Sequence, residues 1–440
     1  MRLIRLLKGE LAREAAEWVE EGLVSETQAE GICRRYGADY HAANSRAQGY
    51  TVLVGLAYLF LGLALITLLG ANWDDIPRWL RMGGLVLLTL GTHGLAVHRY
   101  LRSDRSAGIG LMLLGNLFFG ASIILIAQIY HLGEHMPDGI FWWALGCLPF
   151  ALITRNPWLA LQANLLALVW FLLEVFTGYL PALFPLFFLV SGYILWRGPQ
   201  SALLLLVAVG SVGLWLEYAL SWLWDDGRGG LLFDMHGENL VVAAGLFLLL
   251  FAFSHWLSRR PDSKPRDYAA LLSIWSLRFA LVLMLVMSFA RPWRALLDYE
   301  WPHQLGMWLM LIVLGAASLW LARRAQRLPS VALLFATLVI VMLAVIIDGE
   351  PRHAVAFQLV ANFALLGTGI WLIVRGIGSG ISHYFFLGVT AILVTAFLRY
   401  IDLIGDYLGG AALFTLFALL LLLAARFWKR VRDPKVEGGA

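Results

Sequence analysis

Cysteine occurs only twice in this 440-residue chain, as Cys33 and Cys147, and only 14% of the residues are charged. One cysteine precedes the first long apolar run and the other lies inside a later one, so neither a disulfide framework nor a thiolate metal site is expected. The chain has no G-x-x-x-x-G-K-[ST] phosphate loop, no dinucleotide fingerprint following a strand and no G-x-S-x-G elbow. Those absences argue against ATP-driven transport by this chain alone and leave no catalytic residue, cofactor or metal to assign. Enzymatic activity is the least favoured reading. The first 25 residues also lack the apolar core and small-residue cleavage site of a secretory signal, so the first spanning helix should act as its own insertion signal.

What the chain has in abundance is apolar surface. Sixty per cent of its residues are hydrophobic and its mean hydropathy is +0.75, which overrides the two or three soluble domains that the length would suggest. Tyr50 to Gly70 is a run of 21 uncharged residues, long enough as a helix to cross a hydrocarbon core of roughly 30 Å. A polar turn, Ala71 to Arg78, leads into a second apolar run from Trp79. This hairpin repeats to give fourteen apolar segments: about 50–70, 79–98, 107–130, 139–153, 158–176, 180–196, 201–224, 239–257, 270–290, 304–322, 330–347, 355–374, 384–398 and 410–428. The expected fold is all-α, a polytopic transmembrane helical bundle. It comprises a cytosolic amphipathic helical pair (1–49), a transmembrane domain (50–428) and a basic cytosolic tail (429–440). The fourth, sixth and thirteenth segments are short, and Pro149, Pro181 and Pro185 mark the first two as places where a helix kinks or breaks.

Charge provides an independent test of this segmentation, because lysine and arginine collect in alternate, cytoplasmic loops. With the N-terminal preface inside, the inner loops and tail hold 25 of the 33 basic residues, among them Arg99, Arg155, Arg197, Arg260, Arg324 and Arg375. A missed helix would invert every later loop. The alternation therefore predicts an even number of crossings, with both termini in the cytoplasm. It also accounts for the formal charge of +4 without a nucleic-acid partner.

Within the preface, Leu3, Leu7, Leu11, Ala15, Trp18 and Val19 recur at helical spacing and Gly22 stands at a helix stop. Ser25 and Gln28 spell a capping box for a second helix that runs to about Tyr36. The pair is read as a cap on the membrane domain, with a cytosolic protein partner as the alternative.

Ionisable or amide side chains inside apolar segments mark functional candidates, because each costs several kcal/mol unless paired. Asn116, Glu174, Glu217, Arg278 and Asn362 form the candidate buried polar set, with Asn164 as a neighbour; Glu174 and Glu217 are the expected counter-ions of Arg278. A second set lies at the outer ends of the segments: Asn72, Asp74, Gln128, Tyr130, His131, Arg399 and Asp402. Arg399 and Asp402, three apart, can share a helix face. The outer loops as a whole carry acidic residues and histidines, including Asp225, His236, His303, Asp348 and His353. His131-Leu-Gly-Glu-His135 has the spacing of an inverted zinc motif, but Gly133 and Pro137 and the lack of a third ligand argue against a metal there.

Several short motifs occur in a telling order: Trp18, Gly22-Leu-Val-Ser25 and Tyr36; Gly70-Ala-Asn-Trp-Asp74 with Ile76-Pro77; Gln128-Ile-Tyr-His131; Trp143-Ala-Leu145; and Arg399-Tyr-Ile-Asp402. Together they resemble a bacterial family of predicted membrane proteins, domain of unknown function 2157. That resemblance implies a polytopic protein with a helical cytosolic start and brings no activity, cofactor or catalytic residue with it. The functional expectation is a secondary transporter or lipid-linked flippase for a small molecule or lipid. A non-transporting scaffold or sensor, recruiting a partner through residues 1–49, is the alternative.

Overall fold

The computed structural model describes residues 8–36, 77–102, 104–130, 137–225, 236–379 and 382–402, together with Tyr40, Ala57, Phe60 and Thr67. Helix is the only regular structure among them. Ten of the described helices are long and apolar enough to cross a membrane, and two further apolar helices are shorter. These correspond one by one to the twelve sequence segments from 79–98 to 384–398. The first and fourteenth segments, like the basic tail, fall largely or wholly outside the described residues. Contacts divide the chain into two compact units, residues 4–239 and residues 240 onward.

The first unit begins with α1 (Lys8–Glu20) and α2 (Glu26–Tyr36). Gly22, at φ +72°, reverses the chain between them, a conformation glycine adopts without a Cβ clash. The capping box is formed in both directions: the Ser25 amide donates to Gln28 Oε1 at 2.9 Å, and the Gln28 amide donates to Ser25 Oγ at 3.3 Å. Ala12, Ala15, Ala29 and Cys33 close a small core under Trp18, Val19, Val24 and Tyr40. Cys33 and Cys147 are both buried, and neither is in a disulfide.

Six apolar helices follow: α3 (Arg78–Leu101), α4 (Arg105–Tyr130), α5 (Pro137–Thr154), α6 (Pro157–Thr177), α7 (Pro185–Arg197) and α8 (Ala202–Trp224). Small residues let them approach closely. A Cβ at Gly120 would lie 2.0 Å from the Trp143 ring, so α5 presses an indole directly onto the α4 backbone. Their core gathers Cys147, Phe171, Phe184, Phe187 and Tyr218. Two proline expectations separate here. Pro149 lies inside a continuous α5, so it does not break that helix. Pro181 and Pro185 do accompany a break: Tyr179–Phe184 is non-helical, and the 13-residue α7 starts at Pro185.

The second unit contains most of α9 (Gly237–Leu257), then α10 (Ser263–Val286), α11 (Ala290–Leu297), α12 (Gln304–Arg324), α13 (Leu328–Asp348), α14 (Ala354–Ser379) and α15 (Ser382–Asp402). The segment expected at 270–290 is displaced. α10 begins seven residues earlier, within a charged stretch in which Asp267 and Tyr268 are buried, so charge does not mark its start. The short α11 was not expected from the sequence; Trp293 and Leu297 on one face enter a core with Met307, Leu311 and Val345, while Arg291 and Arg294 are exposed. α14 and α15 pack at backbone distance, since a Cβ at Gly388 would meet the Gly369 carbonyl at 2.5 Å. At three helix ends an arginine lies over the tryptophan four residues before it: Arg260 on Trp256 (4.3 Å), Arg324 on Trp320 (5.4 Å) and Arg375 on Trp371 (4.9 Å). In α12 and α14 that spacing puts both groups on one helix face, as suits a headgroup boundary where an indole and a cation share the interface, while Arg260 follows the last turn of α9.

Candidate functional site

The polar side chains of the first unit are organised around the α6–α7 break. α6 is defined at both ends: Asn156 caps it by accepting from the Trp158 amide at 2.9 Å, and Gly178, at φ +81°, ends it in the left-handed conformation. Backbone that leaves regular helix has carbonyls that need donors from elsewhere. One face of α8 supplies the donors. Trp215 Nε1 donates to the Pro181 carbonyl (3.1 Å), Tyr218 Oη to Tyr179 (3.1 Å) and Trp222 Nε1 to Gly178 (3.2 Å).

Deeper in the same helices Asn164 is fully buried and joins three of them. Its Nδ2 donates to Ser191 Oγ on α7 at 3.0 Å, and its Oδ1 accepts from Ser211 Oγ on α8 at 2.9 Å. Asn116 on α4 does the same for its neighbours: Nδ2 donates to Gln162 Oε1 at 2.8 Å, its backbone carbonyl accepts from Trp143 Nε1 at 2.7 Å, and its Oδ1 lies 3.3 Å from His93 Nε2. Thr89 and Ser122, 3.1 Å apart, extend this lacing between α3 and α4.

Three carboxylates are buried in this unit, Glu174, Glu217 and Glu238. Glu174 accepts from Trp170 Nε1 of its own helix at 2.9 Å. Glu217 on α8 is bound by Asn239 at the start of α9, whose Nδ2 donates to Glu217 Oε2 at 2.9 Å and to the Glu217 carbonyl at 3.1 Å. At the mouth of that α8–α9 hairpin, His236 Nε2 and Asp225 Oδ1 are 3.0 Å apart and partly accessible.

The remaining candidates belong to the second unit. Arg278 is exposed, with its guanidinium 5.5 Å from the Trp275 ring centroid. It sits fifteen residues into α10, roughly 22 Å along the axis at 1.5 Å per residue, because the helix starts earlier than the charge pattern suggests. Asn362 is half-buried and donates to the Ser288 and Gln358 carbonyls at 3.2 and 2.8 Å. Of the outer set, Gln128 and Tyr130 are exposed at the end of α4, and Tyr130 Oη approaches Met82 Sδ at 3.6 Å. Arg399 and Asp402 lie in the last turn of α15; Asn72, Asp74, His131 and His135 lie outside the described residues. Two rim histidines pair with rim aspartates, His236 with Asp225 and His353 with Asp348 at 2.8 Å.

All but the last of the motifs named above, Arg399–Asp402, fall within one stretch that resembles a known family. Residues 16–160 match the family model Predicted membrane protein (DUF2157). The match runs from α1 to the first turn of α6, and so includes His93, Asn116 and Trp143 but stops short of Asn164, Glu174 and Glu217. No curated protein and no solved structure matches the chain. It is an integral membrane protein by both this match and its helices.

Sequence reasoning did not single out Gln162, Ser191, Ser211 or Asn239. Serine and glutamine in an apolar run carry little signal, since a serine can bond its own helix carbonyl, as Ser191 does to Phe187 at 2.9 Å. Asn239 stands at the boundary of its segment, where an amide reads as a helix start rather than a partner for a carboxyl group.

Proposed function

We propose that the chain is a bacterial inner-membrane protein of about fourteen spans, with both termini cytoplasmic, that acts as a secondary transporter or lipid-linked flippase. The observation that carries this reading is the burial of Glu217 in α8, a helix long and apolar enough to cross a bilayer, where among the described residues no basic side chain pairs with it. An ionisable group held at such cost within a span is a functional group by default. The Trp–Arg helix ends at Arg260, Arg324 and Arg375 support the orientation, since all three belong to loops that the charge alternation assigns to the cytoplasm.

The test is native mass spectrometry of the full-length protein released from mild detergent, followed by uptake or flipping of whatever small molecule or lipid co-purifies, in proteoliposomes. A retained lipid or solute that is moved by the wild-type protein and not by Glu217→Gln supports the reading. A preparation that carries only a protein partner and moves nothing contradicts it.

A second reading rests on α1 and α2, which close on a core of their own. Such a self-contained surface in residues 1–49 suits a scaffold or sensor that recruits a cytosolic protein. A partner that co-purifies with the full chain and is lost on deleting residues 1–49 would favour it.

A further inference from the structure

The α8–α9 hairpin presses a carboxyl group against an amide and leaves an imbalance of donors and acceptors. Both N–H bonds of the Asn239 amide are used, one on Glu217 Oε2 and one on the Glu217 carbonyl. The other two oxygens of the pair, Glu217 Oε1 and Asn239 Oδ1, are buried and meet no donor among the described residues. Neighbouring buried acceptors without a donor are costly, and an unpaired carboxylate adds a buried negative charge. A single proton removes both defects. On Glu217 Oε1 it converts a donorless acceptor into a donor, on the same pair of side chains that holds the donorless Asn239 Oδ1, and neutralises the carboxylate. An alkali ion would need several oxygen ligands beyond these two.

We propose that Glu217 is a proton-binding site: a carboxylic acid held neutral against the Asn239 amide and discharged through the mouth of the α8–α9 hairpin. Loading forms the Glu217 O–H bond from a hydronium ion, leaving water. Release breaks that bond, leaves its electron pair on the carboxylate and returns the proton to water at the mouth, where Asp225 and His236 are partly accessible. The titratable groups around it are few. Among the described residues, α8, α9 and their flanks carry Tyr218, Asp225, His236, Glu238 and, at the far end of α9, His255; of the helices packed on α8 within this unit, α6 brings Glu174 and α7 brings Tyr193 and Arg197. Arg197 ends α7, twenty residues before Glu217, next to the start of α8. The identity of the proton as a coupling ion rests on the transport reading above; the protonated carboxyl group itself does not.

Infrared difference spectroscopy of the full-length protein in liposomes reads this directly. At neutral pH the wild type should show the carbonyl stretch of a protonated carboxylic acid that is lost in Glu217→Gln and that gives way to carboxylate bands at alkaline pH. In Asn239→Ala the band should persist and move to higher wavenumber, because the carboxyl group loses its hydrogen-bonded neighbour; this variant serves even if Glu217→Gln folds poorly. Absence of the band in the wild type, its survival in folded Glu217→Gln, or a carboxylate change on replacing choline with sodium at constant pH would overturn the proposal. The two readings fail separately: uptake without the band removes the proton site alone, and the band without uptake removes transport alone.

Discussion

Asn164 and Ser191 share a buried hydrogen bond of 3.0 Å between α6 and α7, across the break at which the chain abandons helix for seven residues. The same asparagine accepts from Ser211 on α8, so one side chain fixes the register of three helices. Asn164→Ala leaves both serines without this partner and should destabilise the protein by about 1–3 kcal/mol. Ser211→Ala removes one bond and should cost about 0.6 kcal/mol, the usual scale within a membrane. Thermal unfolding in a fixed detergent gives the order; equal effects of the two would show that Asn164 is not the hub.

The aromatic face of α8 should protect the break. Trp215→Phe, Tyr218→Phe and Trp222→Phe each keep the ring and delete one donor to Pro181, Tyr179 or Gly178. Each should cost roughly 0.6–1.7 kcal/mol, and together they should speed hydrogen exchange across residues 179–184 while exchange in α4 stays unchanged. Unaltered exchange at the break would mean that these carbonyls are satisfied in another way.

Glycine positions divide into close contacts and open ones. Gly388→Val would drive a branched side chain into the Gly369 carbonyl and Ile373, forcing α14 and α15 apart at roughly 1–3 kcal/mol. Gly210 in α8 has nothing within 4 Å of a Cβ, so Gly210→Ala should be neutral or stabilising by about 0.5–1 kcal/mol, the helix preference of alanine over glycine. Melting temperatures of the two variants should therefore move in opposite directions or differ clearly.

At the N-terminus, Ser25→Ala removes the side-chain half of the capping box and should cost α2 about 1 kcal/mol. Faster amide exchange at Gln28, with no change in the membrane helices, is the expected readout.

The helices were legible because a bilayer demands runs of about twenty apolar residues, a signal that survives any packing arrangement. Pro181 and Pro185 announced the α6–α7 break for the same local reason, and Gly22 with Ser25 and Gln28 specified the first turn. The polar partnerships were not legible. Asn116 and Glu217 stood out as polar groups in apolar runs, but which of Gln162, Ser191, Ser211 or Asn239 would meet them depends on helix rotation, which hydropathy does not encode. Arg278 illustrates the limit. Charge within a span suggested a buried counter-ion, whereas the side chain is exposed beside Trp275. Pro149 is the converse case, a helix breaker by type that α5 accommodates without interruption.

Asp262 and Glu300 are both exposed and flank α10 and the short α11. They provide the most direct measurement of the central claim, that lipid surrounds these helices and arginine placement sets their direction. With Cys33 and Cys147 replaced by alanine, a cysteine at 262 should react with a membrane-impermeant maleimide only in inside-out vesicles, and one at 300 only in intact spheroplasts. Labelling of both from the same side would contradict the account, since α10 would then not cross the bilayer.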